Sequence, residues 1–161
     1  MRAQLLGLLA LASLCLDPAV ALAGCGDQLG DAQAVADARD AIDSTCTCST
    51  EDPPAVNHGQ YVSCAVGVVN QRAGDNLLPT YCKGAVKRCA ARSTCGKPGF
   101  VACCRTSSSG KTKCSTKRDG TLCIEPAGGN ACVADSAFTS CCDACTESGC
   151  ASPPTTSTTV P

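Results

Sequence analysis

The chain has 161 residues and a net charge of −1, with 17 cysteines, no tryptophan, two tyrosines and two phenylalanines. So few bulky apolar side chains exclude a large conventional hydrophobic core, and the lack of aromatic residues among the basic ones argues against nucleic-acid binding. The cysteine content instead predicts a small protein that is stabilised by disulfides in an oxidising compartment.

Residues 1–23 have the pattern of a secretory signal peptide. Arg2 gives the positive start, an apolar run follows, and Ala21-Leu22-Ala23 offers small residues for cleavage. The run is too short for a membrane span. The same region also resembles a bacterial lipobox at Leu22-Ala23-Gly24-Cys25, in which Cys25 would be lipid-modified. Cleavage before Gly24 leaves an even number of cysteines, which favours a secreted or periplasmic protein over a membrane-anchored lipoprotein.

The remaining sequence predicts a small disulfide-rich α+β protein that forms one cysteine-rich domain, residues 24–150. Its N-terminal part, 24–94, is expected to be helical between about 31 and 92. Its C-terminal part, 95–150, is expected to hold short cystine-linked β-strands or hairpins between about 99 and 150. The Ser/Thr/Pro-rich tail, 151–161, is predicted to be disordered, as a spacer, a glycosylation site or a frayed terminus.

Three helices are predicted in the N-terminal part because apolar residues recur there at helical spacing. They cover about 31–44, 60–72 and 80–92. The valines of the second segment would also suit a buried strand, so both structures remain open there. Gly96 and Pro98 then end the third helix.

Five cysteines of the C-terminal part fall nine residues apart, from Cys114 to Cys150. This spacing suits short strands joined by turns, although a cysteine-rich chain also produces regular spacings by chance. The adjacent Cys103-Cys104 and Cys141-Cys142 would point to opposite faces of a strand, so each pair is expected to have two different partners.

All cysteines after the signal are predicted to be disulfide-bonded, in as many as eight pairs whose connectivity the spacing does not reveal. They are Cys25, Cys46, Cys48, Cys64, Cys82, Cys89, Cys95, Cys103, Cys104, Cys114, Cys123, Cys132, Cys141, Cys142, Cys145 and Cys150.

The near-zero net charge conceals a basic middle between two acidic ends. Residues 25–60 carry seven acidic and one basic side chain, residues 61–118 carry eleven basic and one acidic, and the remainder carries five acidic and none basic. The third helix and the strand after Gly110 should both present basic residues outward, as one candidate contact face. Alternatively, the acidic first helix packs over the basic middle and neutralises it. The candidate face consists of Lys83, Lys87, Arg88, Arg92, Lys111, Lys113 and Lys117.

No residues combine into a catalytic, metal or cofactor site, so we expect a protein that is not an enzyme and uses no cofactor. His58 is the only histidine and is expected in a loop. Ser109-Gly110-Lys111-Thr112 resembles a phosphate-binding loop, but Arg105 stands where that pattern needs its first glycine. The Cys142-x-x-Cys145 spacing is that of a redox motif, yet its neighbouring cysteines favour a structural disulfide. Metal binding by cysteines is disfavoured by export.

The sequence does not determine a function. The leading hypothesis is a non-enzymatic structural or binding module of the bacterial cell envelope, whose basic face contacts anionic glycans, lipids or a protein partner, but not nucleic acid. Contact with a membrane is expected only if Cys25 carries a lipid. The alternative is a secreted inhibitor or toxin-like effector that uses the loop from Arg105 to Lys111.

Overall fold

A computed structural model describes residues 24–152 and places helices before strands along the chain. The prediction of a small disulfide-rich α+β protein is confirmed. The predicted signal peptide and almost all of the predicted disordered tail lie outside the described residues and stay predictions. The single-domain assignment also stays a prediction. None of the helices within residues 24–152 is long and apolar enough to cross a membrane.

Three helices form the N-terminal part: α1 (Asp31–Thr45), α2 (His58–Gly74) and α3 (Lys83–Ala91), the last preceded by a 3-10 turn (Thr80–Cys82). The segment that allowed helix or strand is therefore helical. Asn57 explains why, because its side chain accepts from the Gln60 N–H while the Gln60 side chain accepts from the Asn57 N–H. This reciprocal cap satisfies backbone donors that a helix start would otherwise leave free.

The helical core is built from small residues, as the composition predicts. Every fourth residue of α2 is buried, in the series Tyr61, Ala65, Val69 and Ala73. Small side chains let the helices approach closely but bury little apolar area, so this core contributes a modest share of stability. Other members of the core cluster are Ala38, Ile42, Leu78, Val86 and Ala90.

The C-terminal part holds five short strands and a one-turn helix. Their bounds are β1 Val101–Thr106, β2 Thr112–Lys117, β3 Asn130–Val133, α4 Cys141–Ala144, β4 Cys145–Thr146 and β5 Gly149–Cys150. The first three strands form an antiparallel sheet in the order β2-β1-β3, and β4 and β5 form a separate two-stranded hairpin.

The connection from β2 to β3, residues 118–129, must pass the central strand and is called here the crossover loop. It starts beyond Lys117, which pairs with Val101, and ends before Asn130, which pairs with Thr106 at the other end of β1. A disulfide joins Cys123 of the loop to Cys103 of β1. The loop therefore runs over the sheet face on which Cys103 lies, called here the crossover face.

The opposite sheet face carries three cysteines side by side, one from each strand. Cys104 pairs in register with Cys114 on β2 and with Cys132 on β3. Their disulfides lead to Cys145, Cys141 and Cys150, respectively. Three neighbouring cross-links thus hold residues 141–150 against this face, called here the C-terminal face.

The nine-residue cysteine spacing is not a ladder of strands throughout, and the strand prediction is wrong at two of its five positions. Cys123 follows a 3-10 turn (Gly120–Leu122), and Cys141 begins α4. Ser140 explains the second departure, because its hydroxyl accepts from the Cys142 N–H and caps a helical turn. Cys141-Cys142 nevertheless has two partners, as does Cys103-Cys104.

The structure pairs all sixteen cysteines of residues 24–152. Beside the four disulfides of the sheet, three lie in or border the helical part and one, Cys89–Cys142, joins α3 to α4. The three are Cys25–Cys82, Cys46–Cys64 and Cys48–Cys95.

The two parts also meet through backbone contacts near Thr94 and Gly96. The Thr94 N–H donates to the Thr139 carbonyl at 2.7 Å, and the Gly96 N–H donates to the Ser49 carbonyl at 2.6 Å. Gly96 has φ 69°, and a Cβ there would lie 2.2 Å from the His58 backbone nitrogen, so only glycine fits. An ion pair between Arg39 and Asp143 adds a further contact.

Candidate anion-binding surface

The seven residues of the predicted basic face lie on two separate layers of the fold. Lys83, Lys87 and Arg88 belong to α3, and Arg92 directly follows it; α3 packs chiefly on α1 and α2, whereas β2 packs on β1, α4 and β4. The Lys87 ammonium donates to the Asn70 side chain at 2.9 Å, within the helical layer. We therefore treat the two basic groups as distinct patches.

Within residues 24–152, no acidic side chain forms an ion pair with either basic patch. Within residues 24–152 the only ion pair joins Arg39, the one basic residue of α1, to Asp143 of α4. No carboxylate in that part of the chain lies within salt-bridge distance of the basic residues on α3 or β2.

The β1-β2 hairpin brings two cations face to face. Arg105 on β1 is the register partner of Lys113 on β2, and both side chains lie on the crossover face. Residues directly opposite on antiparallel strands have Cβ atoms about 5 Å apart, and like charges at that distance are destabilising. Within residues 24–152, neither Arg105 nor Lys113 forms an ion pair with a carboxylate. An anion bound between their side chains would relieve this repulsion.

Five residues, 107–111, close the hairpin in a compact hydrogen-bonded tip. The Gly110 N–H donates to the Ser107 carbonyl at 2.9 Å, and the Ser107 N–H donates to the Lys111 carbonyl at 3.0 Å. Gly110 has φ 77°, a conformation that favours glycine. The hydroxyls of Ser107 and Ser109 lie 2.9 Å apart. The tip is thus closed by its own hydrogen bonds, and the Ser107 hydroxyl lies beside the Lys111 backbone.

A hollow of about 330 Å³ lies beside this tip and is called here the anion hollow. Its lining has three cations, two hydroxyls and no carboxylate, with one proline of the crossover loop at its edge. The lining residues are Arg105, Ser107, Ser109, Lys111, Lys113 and Pro126.

Of these residues, Arg105 was absent from the basic face predicted from sequence. A signal for it existed, because a hairpin centred on Ser108-Ser109-Gly110 pairs residue 106 with 112 and residue 105 with 113. The predicted Lys111 and Lys113 do line the hollow, whereas Lys117 lies four residues farther along β2, opposite Val101.

A larger hollow of about 490 Å³ opens between the hairpin and the β4-β5 segment. Lys111 and Glu147 both line it, so their opposite charges give it no preference for an anion. The Thr112 hydroxyl, a possible donor, is already bonded to the Glu147 carbonyl at 2.7 Å. The larger hollow is therefore a weaker candidate for an anion site than the anion hollow, whose charged side chains are all positive.

Clusters of cysteine sulfurs do not form metal sites in the described part of the chain. Three groups of possible ligand atoms lie close together, and every cysteine in them belongs to a disulfide. A disulfide sulfur lacks the thiolate charge that metal coordination requires.

His58 begins α2 rather than lying in a loop, and its Nδ1 contacts the Cys95 carbonyl at 2.9 Å.

Asp31 is a buried carboxylate with a structural role that sequence reasoning missed. It is 2% exposed and accepts from the Gly26 and Gln28 N–H groups and from the Tyr81 hydroxyl. Burial alone would raise the pKa of Asp31, but these hydrogen bonds outweigh it and the pKa is lowered. The hydrogen bond from the Tyr81 hydroxyl to Asp31 raises the pKa of Tyr81. Burial raises the pKa of Tyr61. Asp31 thus holds the segment that carries Cys25.

Comparisons with protein-family models, with curated proteins and with solved structures found no match to this chain.

Proposed function

We propose that this protein is a secreted, non-enzymatic, disulfide-rich binding module whose hairpin binds anionic groups of the cell envelope. Eight disulfides within residues 24–152 are consistent with an extracellular location, since such cross-links persist in oxidising compartments. The envelope is proposed because it supplies phosphorylated glycans, acidic polysaccharides and lipid headgroups to an exported protein.

The observation that carries this proposal is the opposed pair Arg105 and Lys113 with Lys111 beside it. A guanidinium presents a planar fork that matches carboxylate, phosphate and sulfate oxygens, and the ammonium groups add compact charges. The hydroxyls of Ser107 and Ser109, which are hydrogen-bonded to each other, add polar groups at the same hollow. Such a set recognises an oxyanion without transforming it.

The same surroundings support binding rather than catalysis. The two serine hydroxyls of the hollow contact each other, and His58, the only histidine, contacts the Cys95 carbonyl instead. A nucleophilic serine would need a base within hydrogen-bond reach. The hollow thus offers charge and hydrogen-bond donors but no paired nucleophile and base.

Sulfated dextran is a suitable probe for the test, because it offers repeated oxyanions without a lipid. We expect the variant Arg105→Ala/Lys113→Ala to bind it about tenfold or more weakly, since two charge-assisted contacts are lost. Arg88→Ala/Arg92→Ala is the matched control, because it removes the same charge from exposed positions on the helical layer. Equal losses in both variants, or affinity that salt leaves unchanged, would contradict the proposal.

The inhibitor or effector alternative has less support. A protease cleft binds an extended segment, whereas the tip between Arg105 and Lys111 is closed on itself by the hydrogen bonds of Ser107 and Gly110. Competitive inhibition of a protease that persists at high salt would favour this alternative.

A lipid on Cys25 would compete with the disulfide that this residue forms with Cys82. Cys82 is fully buried, so a thioether at Cys25 would leave a buried thiol without its partner. We therefore propose that Cys25 is disulfide-bonded to Cys82 and carries no lipid. Intact mass settles this point: a chain that starts at Gly24 with no free thiol supports it, and added lipid mass on Cys25 contradicts it.

A further inference from the structure

The crossover loop, whose Pro126 lines the anion hollow, presents exposed apolar side chains. Leu122 and Ile124 flank the anchored Cys123 and are 50% and 67% exposed. Val133 of β3 is 42% exposed and lies close to the loop, since a Cβ on Gly120 would be 3.3 Å from its Cγ2 atom. These three residues are called here the apolar rim. A contiguous exposed apolar patch on a protein surface is typical of a contact site.

The apolar rim and the hollow lie on the same side of the sheet. Cys103, Arg105 and Val133 share the crossover face through the strand register, and Pro126 of the loop itself lines the hollow. The other face is covered by residues 141–150 through three disulfides. One exposed side of the sheet thus combines cations with apolar residues.

The net charge of the hairpin and the crossover loop favours an anionic partner. Five cations lie on the hairpin and at the start of the loop, against two acidic residues in the loop. The cations are Arg105, Lys111, Lys113, Lys117 and Arg118, and the acidic residues are Asp119 and Glu125.

We propose that this side of the sheet docks on an anionic lipid bilayer, with Leu122 and Ile124 entering the headgroup region. This inference rests on the proposed anion binding and names its partner. A charged polysaccharide gains nothing from exposed leucine and isoleucine side chains, whereas the headgroup boundary accepts both apolar side chains and neighbouring cations. The Cys103–Cys123 disulfide anchors the loop to the sheet, so docking orders little additional chain.

Single-tryptophan variants test the inference, because the chain contains no tryptophan. We expect Leu122→Trp to show a blue-shifted emission on addition of vesicles that contain phosphatidylglycerol, and no shift with pure phosphatidylcholine vesicles. Salt of about 1 M, where the Debye length is about 3 Å, should abolish the shift. Leu29→Trp is the control, since Leu29 is fully exposed in the helical part, before α1. No shift for Leu122→Trp, or equal shifts for both variants, would overturn the inference.

A second variant separates this inference from the proposed function. Leu122→Ser/Ile124→Ser should weaken binding to phosphatidylglycerol vesicles about tenfold, because apolar burial is lost, and leave sulfated dextran binding unchanged. Leu29→Ser/Leu77→Ser removes two exposed leucines elsewhere and should change neither. If the protein binds sulfated dextran but not the vesicles, the lipid inference fails and anion binding stands. If it binds neither, both fail.

Discussion

The Cys89–Cys142 disulfide is the cross-link that joins the helical layer to the segment covering the sheet, and its removal tests how the two parts depend on each other. The perturbation is Cys89→Ala/Cys142→Ala. Cys142 is exposed and Cys89 partly buried, so little apolar packing is lost with the two sulfurs. Loss of stability would therefore come chiefly from the greater freedom of the unfolded chain.

The size of the effect depends on the other disulfides. The two cysteines are 53 residues apart in sequence, which alone would correspond to about 4 kcal/mol. The Cys104–Cys145 disulfide remains, however, and shortens the path between them to about 18 residues, which lowers the expected loss to about 3 kcal/mol. For a protein of this size that loss corresponds to a fall in Tm of about 10 °C.

This loss in the free energy of unfolding is measured by guanidinium-induced and thermal unfolding, both without reductant. Arg39→Gln is the control at the same junction, because it removes the partly exposed ion pair with Asp143 and should cost less than about 1 kcal/mol. We also expect a single unfolding transition in the parent protein. Two transitions in the parent, or a loss below about 1 kcal/mol in the double variant, would refute the interdependence of the two parts.

Three further predictions follow from local contacts. Gly96→Ala should cost more than about 3 kcal/mol in unfolding, because its Cβ would overlap backbone, whereas Gly99→Ala, at φ 73° with open space around it, should cost about 1 kcal/mol. Asp31→Asn should destabilise the protein at neutral pH, and the difference should shrink as the pH falls below 3.8, since the lowered pKa makes the contribution of the carboxylate disappear there. Absorbance titration should place the ionisation of Tyr61 and Tyr81 above pH 10.0 in the folded protein, with stability decreasing as the pH rises through those values.

Each of these predictions has an outcome that contradicts it. Equal destabilisation by the two glycine variants would show that the close backbone approach at Gly96 is absent. A pH-independent effect of Asp31→Asn would mean that the charge of the carboxylate does not contribute. Tyrosine ionisation at the same pH in folded and unfolded protein would contradict the burial of Tyr61 and the Asp31–Tyr81 hydrogen bond.

Sequence reasoning identified two of the three cations that line the anion hollow. Alternation along a strand after Gly110 identified Lys113, and Lys111 came with it, since both depend only on neighbouring residues. Arg105 was missed because its role depends on the register across the hairpin. The sequence analysis placed the basic residues of α3 and β2 on one face because both elements carry positive charge. Charge alone does not determine which elements of a fold lie side by side.

The sequence by itself determined the class of protein and much of its local structure. Abundant cysteine with few aromatic residues predicts a disulfide scaffold, and helical periodicity with Gly and Ser turns locates α1, α3 and the hairpin, because those preferences depend on residues a few positions apart. The valines of α2 left helix and strand open. Tertiary structure alone decided which cysteines pair, that α3 packs on α1 and α2 while β2 packs on β1, and that the crossover loop lies beside the hairpin. These features arise from contacts between residues distant in sequence, whose geometry depends on how the whole chain packs.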